Sequence, residues 1–79
     1  MAAFRPRRRR TFTGQVALRF QSLESDAVSW HIAVAGEGIM KTPEWTVGRE
    51  LFDRFPTGSR VHATVDGRGR LLWVAPAPG

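Results

Sequence analysis

The chain has 79 residues, no cysteine and a formal net charge of +5, and these facts exclude several classes of protein. A chain this short forms one small domain with too little core for a deep catalytic cleft, which excludes large enzymes. Without cysteine it forms neither a disulfide nor a thiolate zinc site, so its stability must come from packing alone. That condition favours burial of surface against a second copy or a partner.

The positive charge is concentrated at the N-terminus. The first ten residues hold five of the twelve Lys and Arg residues and no acid, which leaves seven bases against seven acids in the rest of the chain. We predict a disordered arginine-rich tail at residues 1–10, a single β-rich domain at residues 11–75 and a proline-rich end at residues 76–79. The tail offers a polyanion contact through its arginines, which are Arg5, Arg7, Arg8, Arg9 and Arg10. Nucleic acid, anionic lipid, an acidic protein segment and no ligand at all are open alternatives.

Two alternating stretches predict the first two strands. From Thr11 to Phe20 the even positions are apolar or small, which predicts that Leu18 and Phe20 are buried and that Arg19 points outward. After a polar connection at residues 21–26, a second strand places apolar side chains inward, namely Val28, Trp30, Ile32 and Val34. Because residues 11–22 include charged and polar side chains, they form neither a secretory nor a membrane-spanning segment. We therefore expect a soluble, cytoplasmic protein.

The middle of the chain predicts an edge strand followed by one short helix. A third extended segment begins at residues 39–40, and Pro43 then limits residues 42–47 to an edge strand. Residues 48–55 predict a helix with one apolar face, formed by Leu51, Phe52 and Phe55. An alternative is a longer helix that begins at Thr42 and runs to Phe55. We prefer the strand because residues 45–47 strongly favour β-structure.

The last two strands form a predicted hairpin around Asp66 and Gly67. The final strand is apolar on both faces, which predicts an oligomer or partner interface at Leu71, Leu72, Trp73 and Val74. Together the elements predict an α+β, mainly antiparallel fold. It is a twisted five-stranded sheet or small barrel with one short helix after the third strand.

The order of these elements resembles the SsgA-like sporulation and cell division proteins of actinomycetes. The resemblance runs through residues 16–20, 25–28, 57–61 and 67–72, and its most specific part is residues 44–52, EWTVGRELF. It implies a whirly-like twisted antiparallel sheet, oligomeric assembly, and an adaptor role in sporulation septation without known catalysis. The family has a further strand before residue 14, where this chain has its arginines.

No arrangement of histidines, serines or acids in the sequence indicates catalysis or a bound cofactor. His31 and His62 fall on outward strand positions, and two histidines with Asp66 are too few ligands to assign a metal site. The serines lie in no nucleophile-elbow context, so we predict that the protein is not an enzyme. Trp30 and Trp45 are expected in the core, whereas Trp73 is the tryptophan we expect to be exposed.

Two functions from different classes follow. The first is a non-enzymatic adaptor that assembles as a homo-oligomer or binds a protein of the cell-division machinery. The alternative is a small β-rich nucleic-acid-binding protein, in which the arginine tail binds phosphate and Trp73 stacks on bases. On that alternative, we expect nucleic acid to contact the tail only, because the rest of the chain is formally neutral.

Overall fold

The protein folds as one antiparallel sheet with a short helix. The structure is a computed structural model that describes residues 9–38 and 40–78. Its elements are β1 Arg10–Glu24, β2 Ala27–Gly36, β3 Glu44–Val47, α1 Arg49–Arg54, β4 Arg60–Val65 and β5 Leu71–Pro76. The sheet order is β3-β2-β1-β4-β5, and the sheet does not close into a barrel. This confirms the predicted five-stranded antiparallel sheet with one short helix after the third strand.

The first four strands form a Greek key, because β4 returns beside β1 after the connection that carries α1. The length of β1 makes this possible. Its first part, Arg10 to Gln15, pairs with β4, whereas its longer second part, Gly14 to Glu24, pairs with β2. One strand thus holds together two hairpins that extend towards opposite ends of the sheet.

One face of the sheet carries the core, and α1 covers it. The buried cluster consists of Val16, Ile32, Val34, Phe55 and Val61. Leu51 packs against this cluster, and Phe52 is also buried, so the predicted apolar face of the helix is turned to the sheet. A helix of six residues is not stable in isolation, so α1 depends on this burial.

A bulge in β1 overturns the predicted alternation of its second half. The register with β2 shifts between Val16 and Leu18, which leaves Ala17 as an extra residue. Every later side chain therefore changes face. Leu18 is 53% exposed, whereas the guanidinium of Arg19 lies 4.6 Å from the ring centroid of Phe52 and donates a hydrogen bond to its carbonyl oxygen. The prediction that Leu18 is buried and Arg19 points outward is wrong.

The first hairpin is longer than predicted. The polar residues 21–24 continue β1, and the reversal needs only Ser25 and Asp26, which have φ values of 47° and 68°. Positive φ at both turn residues is the geometry of the type I′ turn, one of the two turns that two-residue hairpins favour. The alternative helix from Thr42 is also wrong, because β3 occupies Glu44–Val47 and α1 begins at Arg49. Of the predicted segment at residues 39–40, Met40 is exposed in the β2–β3 connection, and residue 39 is outside the described residues.

Candidate functional site

Positive charge collects at one end of the sheet. Arg10 is the first residue of β1 and pairs with Val65, the last residue of β4. The turn that follows β4 carries Arg68 and Arg70, and Lys41 lines the same pocket as Arg10. We call this group the basic end, and it consists of Arg9, Arg10, Lys41, Arg68 and Arg70. All five residues are exposed.

The acids are distributed differently from these cations. Asp66 lies within the basic end and pairs with Arg70 at 3.2 Å. The other acids lie at the tip of the β1–β2 hairpin (Glu24, Asp26), on α1 (Glu50, Asp53), opposite Arg60 (Glu37) and beside His31 (Glu44). The charge of the described residues is therefore unevenly distributed, with a local excess of positive charge at one end of the sheet.

A pocket of about 160 Å³ opens between the cations of the basic end. Its walls include the aromatic side chains of Phe12 and Trp45, whose ring centroids are 6.3 Å apart, and its rim includes Arg10 and Lys41. The indole N–H of Trp45 donates a 2.9 Å hydrogen bond to the carbonyl oxygen of Gly69. Because Trp45 is on edge strand β3 and Gly69 is in the β4–β5 turn, this bond draws two distant parts of the sheet together around the pocket.

Asp66 fixes the turn that supplies Gly69. Its carboxylate oxygen Oδ1 accepts hydrogen bonds from the backbone nitrogens of Arg68 and Arg70, at 2.8 and 2.9 Å. The N–H of Arg70 is the main cause that lowers the pKa of Asp66 below its ordinary value. The N–H of Arg68 and the Arg70 guanidinium lower the pKa further, while partial burial opposes them. Gly69 has a φ of 81°, which an L side chain rarely adopts, so glycine suits this turn.

The predicted interface lies on β5, which forms one edge of the sheet and pairs with β4. Leu72 and Trp73 are 41% and 49% exposed, whereas Leu71 and Val74 are half-buried, and Val74 packs against the core. The guanidinium of Arg9 lies 5.7 Å from the Trp73 ring centroid. The other tryptophans are half-buried. The tail residues Arg5, Arg7 and Arg8 lie outside the described residues.

The face of the sheet opposite α1 holds polar contacts that the sequence did not indicate. The ring of His31 stacks on Phe20, with centroids 4.7 Å apart, and its Nε2 lies 2.9 Å from Ser29 Oγ. Its Nδ1 lies 3.3 Å from Thr46 Oγ1 and 3.5 Å from Glu44 Oε2. This order of groups is that of a nucleophile, base and acid, but the groups lie on an open sheet face. Ser29 and His31 are both on β2, and the other contacts of His31 join β2 to β1 and β3. We therefore interpret them as contacts that hold β1, β2 and β3 in register.

The two histidines do not form a common site. His31 lies opposite Phe20 on β1, whereas His62 lies opposite Thr13, seven positions away, and is 3.0 Å from its hydroxyl. Within residues 9–38 and 40–78, no cluster of three or more His, Asp or Glu side chains is arranged to hold a metal ion. In the same residues, no helix has the length and apolar character needed to span a membrane.

The chain matches no known family model and no curated protein. Its similarity to the SsgA-like proteins therefore stays a prediction drawn from its motifs. What the site offers chemically is a fixed aromatic pocket between cations at one end of the sheet, and an exposed apolar edge strand nearby.

Proposed function

We propose that this chain is a non-enzymatic adaptor that acts through protein–protein contact in the cytoplasm, in actinomycete sporulation and cell division. It works as a homo-oligomer or bound to a protein of the division machinery. The resemblance to SsgA-like proteins supplies the biological setting of this proposal. The observation that carries it is the exposure of Leu72 and Trp73, side by side, on edge strand β5.

An edge strand favours association for two physical reasons. Its outer N–H and C=O groups point away from the sheet and can pair with a strand from another chain. Burial of exposed apolar area stabilises an association by about 25 cal/mol per Å², and an aromatic side chain brings a large area to such an interface. In the adaptor proposed here, Leu72 and Trp73 provide this apolar contact, while Val74 stays in the core of its own subunit.

The second candidate function is nucleic-acid binding through the arginine tail. One contact favours it: the guanidinium of Arg9 lies 5.7 Å from the centroid of the exposed Trp73 ring, so a cation and an aromatic surface lie side by side. In this proposal the tail arginines bind phosphates and Trp73 stacks on a base. Cation–π contacts between arginine and an aromatic ring also occur without any ligand, so the adaptor remains the first proposal.

Light scattering coupled to size-exclusion chromatography tests self-association, with Leu72→Glu and Trp73→Glu as separate variants. We expect the wild-type chain to be oligomeric at high micromolar concentration and each variant to be monomeric, because either change places a charge in the contact. Leu23→Glu is the matched control, since Leu23 is 70% exposed at the far end of the β1–β2 hairpin and should not alter the oligomer. A wild-type monomer, or an oligomer that survives both β5 changes, would contradict self-association through β5.

A further inference from the structure

We propose that the basic end binds single-stranded nucleic acid, with one unstacked base held in the pocket against the aromatic wall that Phe12 and Trp45 form. This inference goes beyond the adaptor function and does not depend on it. It also differs from the expectation that the tail alone contacts nucleic acid. The observation that carries it is the combination of an aromatic pocket with a local excess of exposed cations.

The cations of the pocket rim are available to a ligand. Among residues 9–38 and 40–78, the ion pairs that involve arginine use Arg49, Arg60 and Arg70, and no ion pair uses Arg10, Lys41 or Arg68. Even Arg70, which pairs with Asp66, has 63% of its side chain exposed. Exposed cations at one end of an otherwise balanced surface attract polyanions, and each phosphate contact releases condensed counterions.

The pocket between these cations favours nucleic acid over other polyanions. Phe12 and Trp45 present aromatic surface in a concave site, and bases of single strands stack on such side chains with little dependence on sequence. An acidic peptide would use the cations and leave the aromatic walls without a matching group. In a duplex the bases are already stacked inside the helix, so a duplex could use the charges only.

The pocket is also held in shape before any ligand arrives. The Trp45 indole is fixed by its bond to Gly69, and the turn that carries Gly69 is fixed by Asp66. Preorganisation of this kind lowers the entropic cost of binding. Lys41 and Arg10 line the same pocket, so each is near enough to contact a phosphate next to the bound base.

Fluorescence anisotropy with the full chain and labelled oligonucleotides tests the proposal. The first probe is an oligothymidylate of about 12 nucleotides. This length lies within the site size of about 4–16 nucleotides that one OB-fold domain covers on a single strand. The comparison probe is an abasic strand of the same length and charge. We expect the abasic strand to bind about tenfold more weakly or worse, because stacking on the pocket walls is lost while the phosphates remain. Equal affinity for the two probes would overturn base insertion.

Charge variants separate the contribution of Lys41, at the pocket rim, from that of the tail arginines that precede Arg9. Lys41→Gln should weaken oligothymidylate binding and reduce the log–log salt slope by about 0.7, the loss expected for one phosphate contact on a single strand. Arg49→Gln is the matched control, because Arg49 is exposed on α1 and pairs with Asp53. A triple change of Arg5, Arg7 and Arg8 to Gln and, separately, Trp73→Leu should each leave the preference for thymidylate over the abasic strand intact, because the described residues that line the pocket include none of these.

Two results would contradict the site. If the triple tail variant loses that preference while Lys41→Gln behaves like the wild type, the tail is the binding element. If polyglutamate of matched charge competes as well as oligothymidylate, the basic end serves an acidic protein segment instead. Neither result bears on the oligomer assay with the β5 variants, so the two proposals fail independently.

Discussion

The two faces of the sheet are built by different physical means. On the face covered by α1, buried valines, isoleucine and phenylalanine interdigitate, so burial of apolar area supplies the free energy. On the open face, hydroxyl and imidazole side chains of neighbouring strands meet in pairs, such as Thr11 with Thr64 at 2.8 Å. The difference indicates that the covered face determines the free energy of unfolding, while the open face mainly fixes strand register and leaves exposed groups for partners.

The largest expected effect tests the covered face. Phe52→Ala should lower the free energy of unfolding by about 3–5 kcal/mol, because it empties a buried site under α1 and removes the ring on which Arg19 rests. That would be much of the stability available to a small domain. Chemical denaturation measures it, with the exposed helix residue changed in Arg54→Ala as the control. An unchanged midpoint in Phe52→Ala would mean that the helix is not docked through this residue.

The core could be predicted from the sequence where periodicity was unbroken. Val34 and Val61 follow simple alternation, and Phe52 and Phe55 lie on the predicted helix face; all four are buried. In the part of β1 that follows Ala17 the predicted alternation was wrong, because an alanine carries no signal that distinguishes a bulge from regular pairing. A register shift depends on the partner strand, which a single strand's pattern does not contain.

The candidate site was less predictable than the core. The exposure of Trp73 was expected from a strand with apolar residues on both faces, and it is 49% exposed. The pocket was not foreseen, because it depends on a long-range contact, the hydrogen bond from Trp45 to Gly69, which lies 24 residues later. The cations around it are likewise far apart in the sequence, and only the fold places Lys41 beside Arg10.

A smaller effect is expected on the open face. Thr64→Val keeps the shape of the side chain and removes its hydrogen bond to Thr11, which should lower the free energy of unfolding by about 1 kcal/mol. Thr11 is exposed, so its hydroxyl can bond to water in the variant. Urea denaturation gives the value. A loss as large as that of Phe52→Ala would contradict the division of roles between the two faces.

The smallest expected effect concerns Asp66, in the turn between β4 and β5 beside the pocket. Because its folded-state pKa is lowered, its contribution to stability is complete above the ordinary Asp pKa of about 4 and is lost as pH falls through the lowered value. Asp66→Asn keeps an acceptor for the N–H groups of Arg68 and Arg70 but removes the charge. Thermal unfolding of both proteins should therefore show the variant melting lower at neutral pH, with a difference that shrinks as the pH falls through the lowered pKa. Subtracting the two melting temperatures at each pH removes the titration of the other acids, which both proteins share. A difference that stays constant over that range would mean that Asp66 acts through the geometry of its hydrogen bonds and not through its charge.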